Sequence, residues 1–284
     1  MLKYQTSGQI FYFEFRFAVY LQTNQMDNIK ISAVSYLNTL PFLRGLQSSS
    51  DLKNCHIELD HPAECARKLV QGEADLGLVP VAILPQLKNY KIISDFCIGA
   101  VGPVSSVMLY SQVPLKNIEE IWLDYQSRTS VALVRVLAKN YWHIEPKWLE
   151  ALEGYEKKIE GSRAGVIIGD RTFGLNSTFN YQYDLSKEWH DFTGLPFVFA
   201  CWVSVKELPS DFVEEFNVAL ASGVAGIPAL AEEINKSHTY KTDVSTYLTR
   251  NLSYQLDDEK RKGLELFLKL LKPESPVNSV KTAF

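Results

Sequence analysis

The chain has 284 residues, 46% of them hydrophobic, 22% charged and 12% aromatic, with 15 Gly and 12 Pro; these proportions exclude disordered, collagen-like and coiled-coil classes. The length permits one large domain or two lobes, and either buries a sizeable core. Twenty-nine basic against 33 acidic side chains leave a net charge of −4 at pH 7, so no basic excess exists to neutralise a phosphate backbone and no nucleic-acid partner is expected.

Gln9 to Leu21 reads Q-I-F-Y-F-E-F-R-F-A-V-Y-L. The run is apolar, but Glu14 and Arg16 sit in its middle and it is short for a bilayer, so neither an export signal nor a membrane anchor is expected. Its phenylalanines alternate with Tyr12, Glu14 and Arg16 at a strand-like period of two. Met26 then opens M-D-N-I-K-I-S-A-V, where a first strand begins. Residues 1–27 are therefore read as a peripheral extension or as a start placed too early, and the protein as cytoplasmic.

From there strands and helices alternate. Ile29–Val34 is an apolar strand, residues 35–39 a polar turn, and Pro41 opens a short helix. Pro62–Val70 is amphipathic, with Ala63, Ala66, Leu69 and Val70 inward and Gly72 closing it. Asp75–Val79 is a buried strand, and Pro80 begins another helix. Ile92–Phe96, Ser106–Tyr110 and Ile121–Asp124 are strands, and Ser130–Trp142 is a helix. Gly165–Ile168 and Phe197–Val205 complete the strands, and the remainder reads as helical. Pro209 and Asp211 open a long helix that Gly226 and Pro228 interrupt; Asp257 starts the last one, and Pro273 stops it. Its Lys260, Arg261, Lys262, Lys269 and Lys272 read as a solvated face.

The alternation predicts an α/β fold with a mainly parallel sheet and helices on both faces. No repeat or Gly/Ser linker divides the chain, so two lobes would be joined through strands, at Val104–Tyr110 and Phe199–Val203. The expected division is 28–105 for the first part of lobe 1, 106–201 for lobe 2, and 202–284 for the return to lobe 1. This is the plan of a hinged ligand clamp.

Four cysteines (Cys55, Cys65, Cys97, Cys201) form no C-x-x-C, and the five histidines form no H-x-x-x-H, so the expectation is a reducing compartment and no metal. No G-x-G-x-x-G, Walker A or G-x-S-x-G run occurs either, which removes the usual support for nucleotide binding and for an α/β-hydrolase. The most informative segment is I-W-L-D-Y-Q-S-R-T-S-V. A strand ends at Asp124 and a helix starts near Arg128, with Ser127, Thr129 and Ser130 around its free N–H groups. That is either a carboxylate receptor or plain N-capping beside a surface arginine. The turn Ser35-Tyr36-Leu37-Asn38-Thr39 follows the first strand, where open α/β sheets place ligands. Tyr36 and Asn38 are its polar side chains for a ligand, and a simple turn beside Pro41 is the other reading. Ser105 and Ser106 stand on the first crossing. Asp170, after the strand Gly165–Ile168, either orients a ligand or caps a helix. Thr193 and Gly194 precede the return crossing and offer a hydroxyl and a tight turn.

Taken together, S-Y-L-N-T-L-P, G-E-A-D-L-G-L-V-P-V, G-P-V-S-S-V-M-L-Y-S, L-D-Y-Q-S-R-T-S, I-I-G-D and T-G-L-P-F-V-F-A-C-W resemble the chorismate dehydratase family of menaquinone biosynthesis by the futalosine route. The likeness runs from about Ile29 to about Ser204. It implies a fold like the type II periplasmic binding proteins, two α/β lobes around a ligand cleft. It implies dehydration of chorismate, a small-molecule substrate, to 3-[(1-carboxyvinyl)oxy]benzoate with no metal or organic cofactor. The family's active-site asparagine falls on Asn38, its cleft serine on Ser106, and its anion site on Ser127 to Ser130. Within the same resemblance stands 1,4-dihydroxy-6-naphthoate synthase, which shares the fold. A non-catalytic binding protein for a small carboxylate and a LysR-type effector domain are the other readings of this architecture. No membrane partner is expected, and the sequence leaves the oligomeric state open.

Overall fold

The computed structural model describes residues 29–52, 55–175 and 177–271; the readings of Gln9–Leu21, Met26, Lys272 and Pro273 lie outside them. Among these residues the strands are β1 (Lys30–Val34), β2 (His56–Asp60), β3 (Leu76–Pro80), β4 (Lys91–Ala100), β5 (Val107–Ser111), β6 (Glu120–Leu123), β7 (Lys147–Glu150), β8 (Arg163–Ile168), β9 (Tyr181–Asp184), β10 (Phe197–Ser204) and β11 (Ser253–Gln255). The helices are α1 (Leu40–Ser48), α2 (Pro62–Gln71), α3 (Arg128–Leu137), α4 (Leu185–Thr193), α5 (Ser210–Ala225), α6 (Ile227–Ser237) and α7 (Asp258–Leu270). A one-turn helix at Val244–Thr246 runs into a π turn at Tyr247–Asn251. None of the described helices is long and apolar enough to cross a membrane.

Two sheets form, ordered β11-β4-β10-β3-β1-β2 and β7-β6-β8-β5-β9. The expectation of a mainly parallel sheet is corrected: both sheets are mixed. β1 runs parallel to β2 and β3, but β10 is antiparallel to both β3 and β4, and β11 to β4. In the second sheet β6 is parallel to β7 and β8, whereas β5 is antiparallel to β8 and β9. The cause is the chain path. β4 carries the chain out of the first sheet and β10 brings it back alongside, so the outgoing and returning strands oppose each other. Passage outward occupies residues 101–106. The return occupies residues 194–196, upstream of the expected Phe199–Val203, because β10 pairs with the first sheet along its whole length. A boundary at 201/202 would therefore cut a single strand.

The strands missing from the sequence reading are β2, β7, β9 and β11. All four lie at sheet edges, and β2 and β7 are largely exposed. An edge strand carries little of the apolar run that marks a buried one. The helix expected from Pro80 is a 3-10 turn, Val81–Gln86, with Pro85 inside it; proline has no N–H for an α-helical bond. Lys260 is not on a solvated face. Its side chain is 1% exposed and its Nζ sits 2.8 Å from Asp257 Oδ2.

One hydrophobic core runs through both sheets. The return passage is packed against it. Trp189 of α4 donates from Nε1 to the Pro196 carbonyl at 3.2 Å, and its ring lies 5.3 Å from Phe197 and 5.9 Å from Phe267 of α7. Such edge-to-face contacts add about 0.5–1.5 kcal/mol each beyond the buried area. On the far side of the first sheet α1 and α5 meet backbone to backbone. A Cβ on Gly45 would stand 2.0 Å from the Ala219 carbonyl oxygen, and one on Gly223 2.0 Å from that of Pro41.

Candidate functional site

A cleft opens where the two sheets face each other. From the first sheet's side it is lined by Tyr36, Asn38 and Thr39 after β1, and by Phe199 and Ala200 of β10. The second side contributes Ser127, Thr129 and Ser130 at the start of α3, and Ile168 and Gly169 at the end of β8. Ser106, on the outward passage, lies at its floor. The described lining holds no Asp, Glu, His, Lys or Arg side chain. The cleft is partly open and its free volume is about 60 Å³, below the ~300 Å³ at which ligand pockets begin.

Asn38 stands in a 3-10 turn, Leu37–Thr39, that continues into α1. Its backbone carbonyl accepts from the buried Tyr254 hydroxyl at 3.0 Å, and its side-chain oxygen accepts from Thr39 Oγ1 at 3.1 Å. Ser106 is buried, and its Oγ accepts from Tyr247 at 2.9 Å. Asn38 and Ser106 are 68 residues apart in sequence and meet because β1 and the outward passage both end at the cleft.

At α3 the Ser127 Oγ accepts from the Ser130 backbone N–H at 3.0 Å and bonds the Ser130 hydroxyl at 2.9 Å. These two hydroxyls therefore satisfy one cap, as N-cap geometry predicts, while the α3 entry still faces the cleft. Thr129 does something else. Its hydroxyl donates to the Phe199 carbonyl at 3.0 Å and accepts from Ala82 N–H at 3.3 Å, tying α3 to the first sheet. Arg128 is exposed and does not line the cleft.

Asp170 caps across the cleft. Both of its carboxylate oxygens accept from the Leu37 N–H, at 3.2 and 3.3 Å, so the β8 side holds the Asn38 turn. Gly169 beside it has φ +63, and a Cβ there would come within 3.1 Å of the Tyr36 ring; glycine alone combines that backbone with that approach. Tyr36 in turn donates its hydroxyl to Gln126 Oε1. Burial pushes the Tyr36 phenol well above the usual tyrosine range, so it stays a donor. Behind it Asp124, at the end of β6, takes bonds from Arg171 and, at 2.9 Å, from Tyr155.

Ser105, Thr193 and Gly194 lie apart from the lining. Ser105 is exposed with φ +63, held by its N–H to Asp184 Oδ2 at 2.6 Å and by its carbonyl, which accepts from Thr172 Oγ1 at 3.2 Å. Thr193 donates to the Trp189 carbonyl at 2.8 Å and accepts from the Leu195 N–H, and Gly194 is the left-handed residue ending α4. Their roles are those of a helix end, which is the chemistry their residue types also predict. Missed by sequence reasoning were Tyr247, Gln126 and the Asp124–Arg171 pair. The acid closing β6 was the only signal among them.

Burial raises the Asp170 carboxyl to about 6, with the Leu37 N–H opposing it. A carboxyl raised in the folded state takes up a proton there before the unfolded chain does. Stability from this group is therefore highest below the unfolded value, near 4, and falls as pH rises through 6. Asp170→Asn keeps an oxygen for Leu37 and removes the charge. It should raise Tm at pH 7.5 by a few degrees, about 1–2 kcal/mol, with the gap closing toward pH 4. Thermal melts of both proteins over that range test this; a lower Tm for the variant at pH 7.5 would show that the charged bond to Leu37 outweighs burial.

Comparison with known proteins agrees with this architecture. A menaquinone biosynthesis family model matches residues 29–273. The chorismate dehydratase of Thermus thermophilus is 29% identical over 231 residues, 74% of this chain and 84% of that one. Among solved structures, a protein of Archaeoglobus fulgidus superposes with a TM-score of 0.68 at 12% identity, covering 86% of this chain and 96% of the other. The alkanesulfonate-binding protein of Xanthomonas axonopodis pv. citri, bound to MOPS, gives 0.58 at 16% identity, covering 87% and 94%. A Candida albicans protein described as having the generic periplasmic binding protein fold gives 0.56 at 13%, covering 86% and 90%. At these identities the structures establish the fold, a periplasmic-binding-protein-like pair of α/β lobes, and the sequence match establishes the lineage. The chain belongs to the menaquinone biosynthesis family.

Proposed function

We propose that the protein is a hydro-lyase that dehydrates chorismate to 3-[(1-carboxyvinyl)oxy]benzoate in the cytoplasm, without a metal or organic cofactor. The observation that carries this is the convergence of Asn38 and Ser106 on one cleft beside the α3 entry, together with the relative named chorismate dehydratase. Chorismate carries two carboxylates. The α3 entry suits one of them through the helix dipole and the Ser130 hydroxyl hydrogen that the cap leaves over, and the exposed Arg128 adds positive charge at that helix end. Apolar walls from Phe199, Ile168 and Val107 suit the ring.

Loss of the C3 proton and of the C4 hydroxyl leaves an aromatic ring, so much of the driving force belongs to the substrate. The site has to orient it and to stabilise the charge that develops. Asn38 and Ser106 polarise the departing hydroxyl, which takes up the proton lost from C3, relayed by the substrate, and leaves as water. With no Asp, Glu, His, Lys or Arg side chain among the described lining residues and the Tyr36 phenol kept protonated by burial, the proton from C3 goes to a base the substrate brings, its enolpyruvyl carboxylate. The test is direct. Purified protein mixed with chorismate in EDTA should yield an aromatic product lighter by one water. Binding without turnover would place the protein among carboxylate-binding proteins instead, and loss of activity in EDTA would refute the cofactor-free mechanism.

A further inference from the structure

From the hydrogen bonds behind the cleft floor, we infer that Tyr247 is a positioning residue for the proposed dehydration, fixing which way the Ser106 hydroxyl points. The inference rests on the chorismate reading above. Tyr247 comes from the π turn after α6, 141 residues from Ser106, and is 1% exposed. π turns inside helical segments recur at functional sites because they swing one side chain out of helical register. Here the swung residue is a phenol aimed at the cleft serine.

A serine hydroxyl has one hydrogen to give and two lone pairs to receive. If it gave its hydrogen backward to Tyr247, nothing would be left for a substrate. The phenol is the more acidic partner, and it donates to Ser106 Oγ at 2.9 Å. Burial keeps that phenol protonated, and the Asn38 side chain and the Asp170 carboxylate flank it. The Ser106 hydrogen is therefore released toward the cleft, which Ser106 lines. A departing hydroxyl needs a donor at that place. Tyr254, which donates to the Asn38 carbonyl at 3.0 Å, anchors the other member of the pair from the neighbouring strand β11. The segment after α6 thus supplies the rear support for two groups that the sequence motifs place in front.

Tyr247→Phe removes one oxygen and keeps the ring, which packs edge-on against Phe173 at 5.1 Å, so the variant is expected to fold. Steady-state kinetics on chorismate would be measured for wild type, Tyr247→Phe, Ser106→Ala and the double variant, with Tm recorded for each. Tyr247→Phe should lower kcat about tenfold with KM within about twofold, a tenfold change being about 1.4 kcal/mol at the barrier. In the Ser106→Ala background the same change should cost about threefold or less, since there is no hydroxyl left to orient and only the Asn38 side chain still meets the phenol. A tenfold loss that persists without Ser106, or a loss confined to KM, would overturn the role, as would unchanged kcat. A wild type that leaves chorismate intact would instead overturn the functional reading, and the role with it.

Discussion

Alanine at Asn38 or at Ser106 is expected to lower kcat for chorismate dehydration by about 10²–10³, with KM changed by less than about threefold. The magnitude is that of removing one preorganised donor from a site where charge develops. The direction of the split follows from placement. Neither residue belongs to the α3 entry proposed for a carboxylate; both stand where β1 and the outward passage end, and both line the cleft. Ground-state binding through Ser127 to Ser130 would survive their loss, while the leaving hydroxyl would lose its donors. Steady-state kinetics alongside calorimetric binding of the product separates the two effects. Equal losses in binding and turnover would make Asn38 and Ser106 binding groups only.

The largest expected stability effect lies at residues that do not line the cleft. Gly223→Ala, or Gly45→Ala, forces a methyl group to within 2.0 Å of a backbone carbonyl oxygen on the facing helix. Neither partner is a flexible side chain that can step aside, so α1 and α5 must separate and lose their contact. Overpacking of this kind costs about 3 kcal/mol or more, which for a chain of this size lowers Tm by roughly 10 °C. Since α1 directly continues the turn that carries Asn38, kcat should fall as well, by a smaller factor. Thermal denaturation followed by circular dichroism decides it. A Tm within 2 °C of wild type (roughly the scale of about half a kcal/mol) would mean that the helices are less tightly seated.

Much of this was legible in the residues. The buried strands β1, β3, β8 and β10 read as continuous apolar runs, and Gly72 and Pro62 bracketed α2 as punctuation should. The turn at Asn38 and the cap at Ser127 each follow a strand, where sheets of this class present ligands, and Ser106 stands directly before β5 at the end of the outward passage. Strand direction was not legible, because a β-strand has the same residue pattern whichever way its neighbour runs; only the path out through β4 and back through β10 decides it. Edge strands such as β2 and β7 escaped because half-exposed residues carry no apolar period. Asp170 was ambiguous because a cap and a ligand partner use the same carboxylate, and its bond reaches Leu37, 133 residues away. Tyr247 gave no local signal at all. Its neighbours are ordinary helical residues, and its importance exists only once the chain has folded back onto Ser106.

The bonds that cross the cleft have a kinetic meaning. Thr129 reaches Phe199 and Ala82, Leu37 reaches Asp170, and Tyr36 reaches Gln126, so four contacts join the two walls of the cleft. Each exchanges a protein partner for water at a net cost of about 1 kcal/mol. An opening that breaks all four would cost about 4 kcal/mol and leave roughly one molecule in a thousand open. Substrate capture would proceed through that small fraction, which places the observed association rate about three decades below that of a permanently open cleft. On that reading the contacts that hold the Asn38 turn in place would also meter how often the cleft admits a substrate.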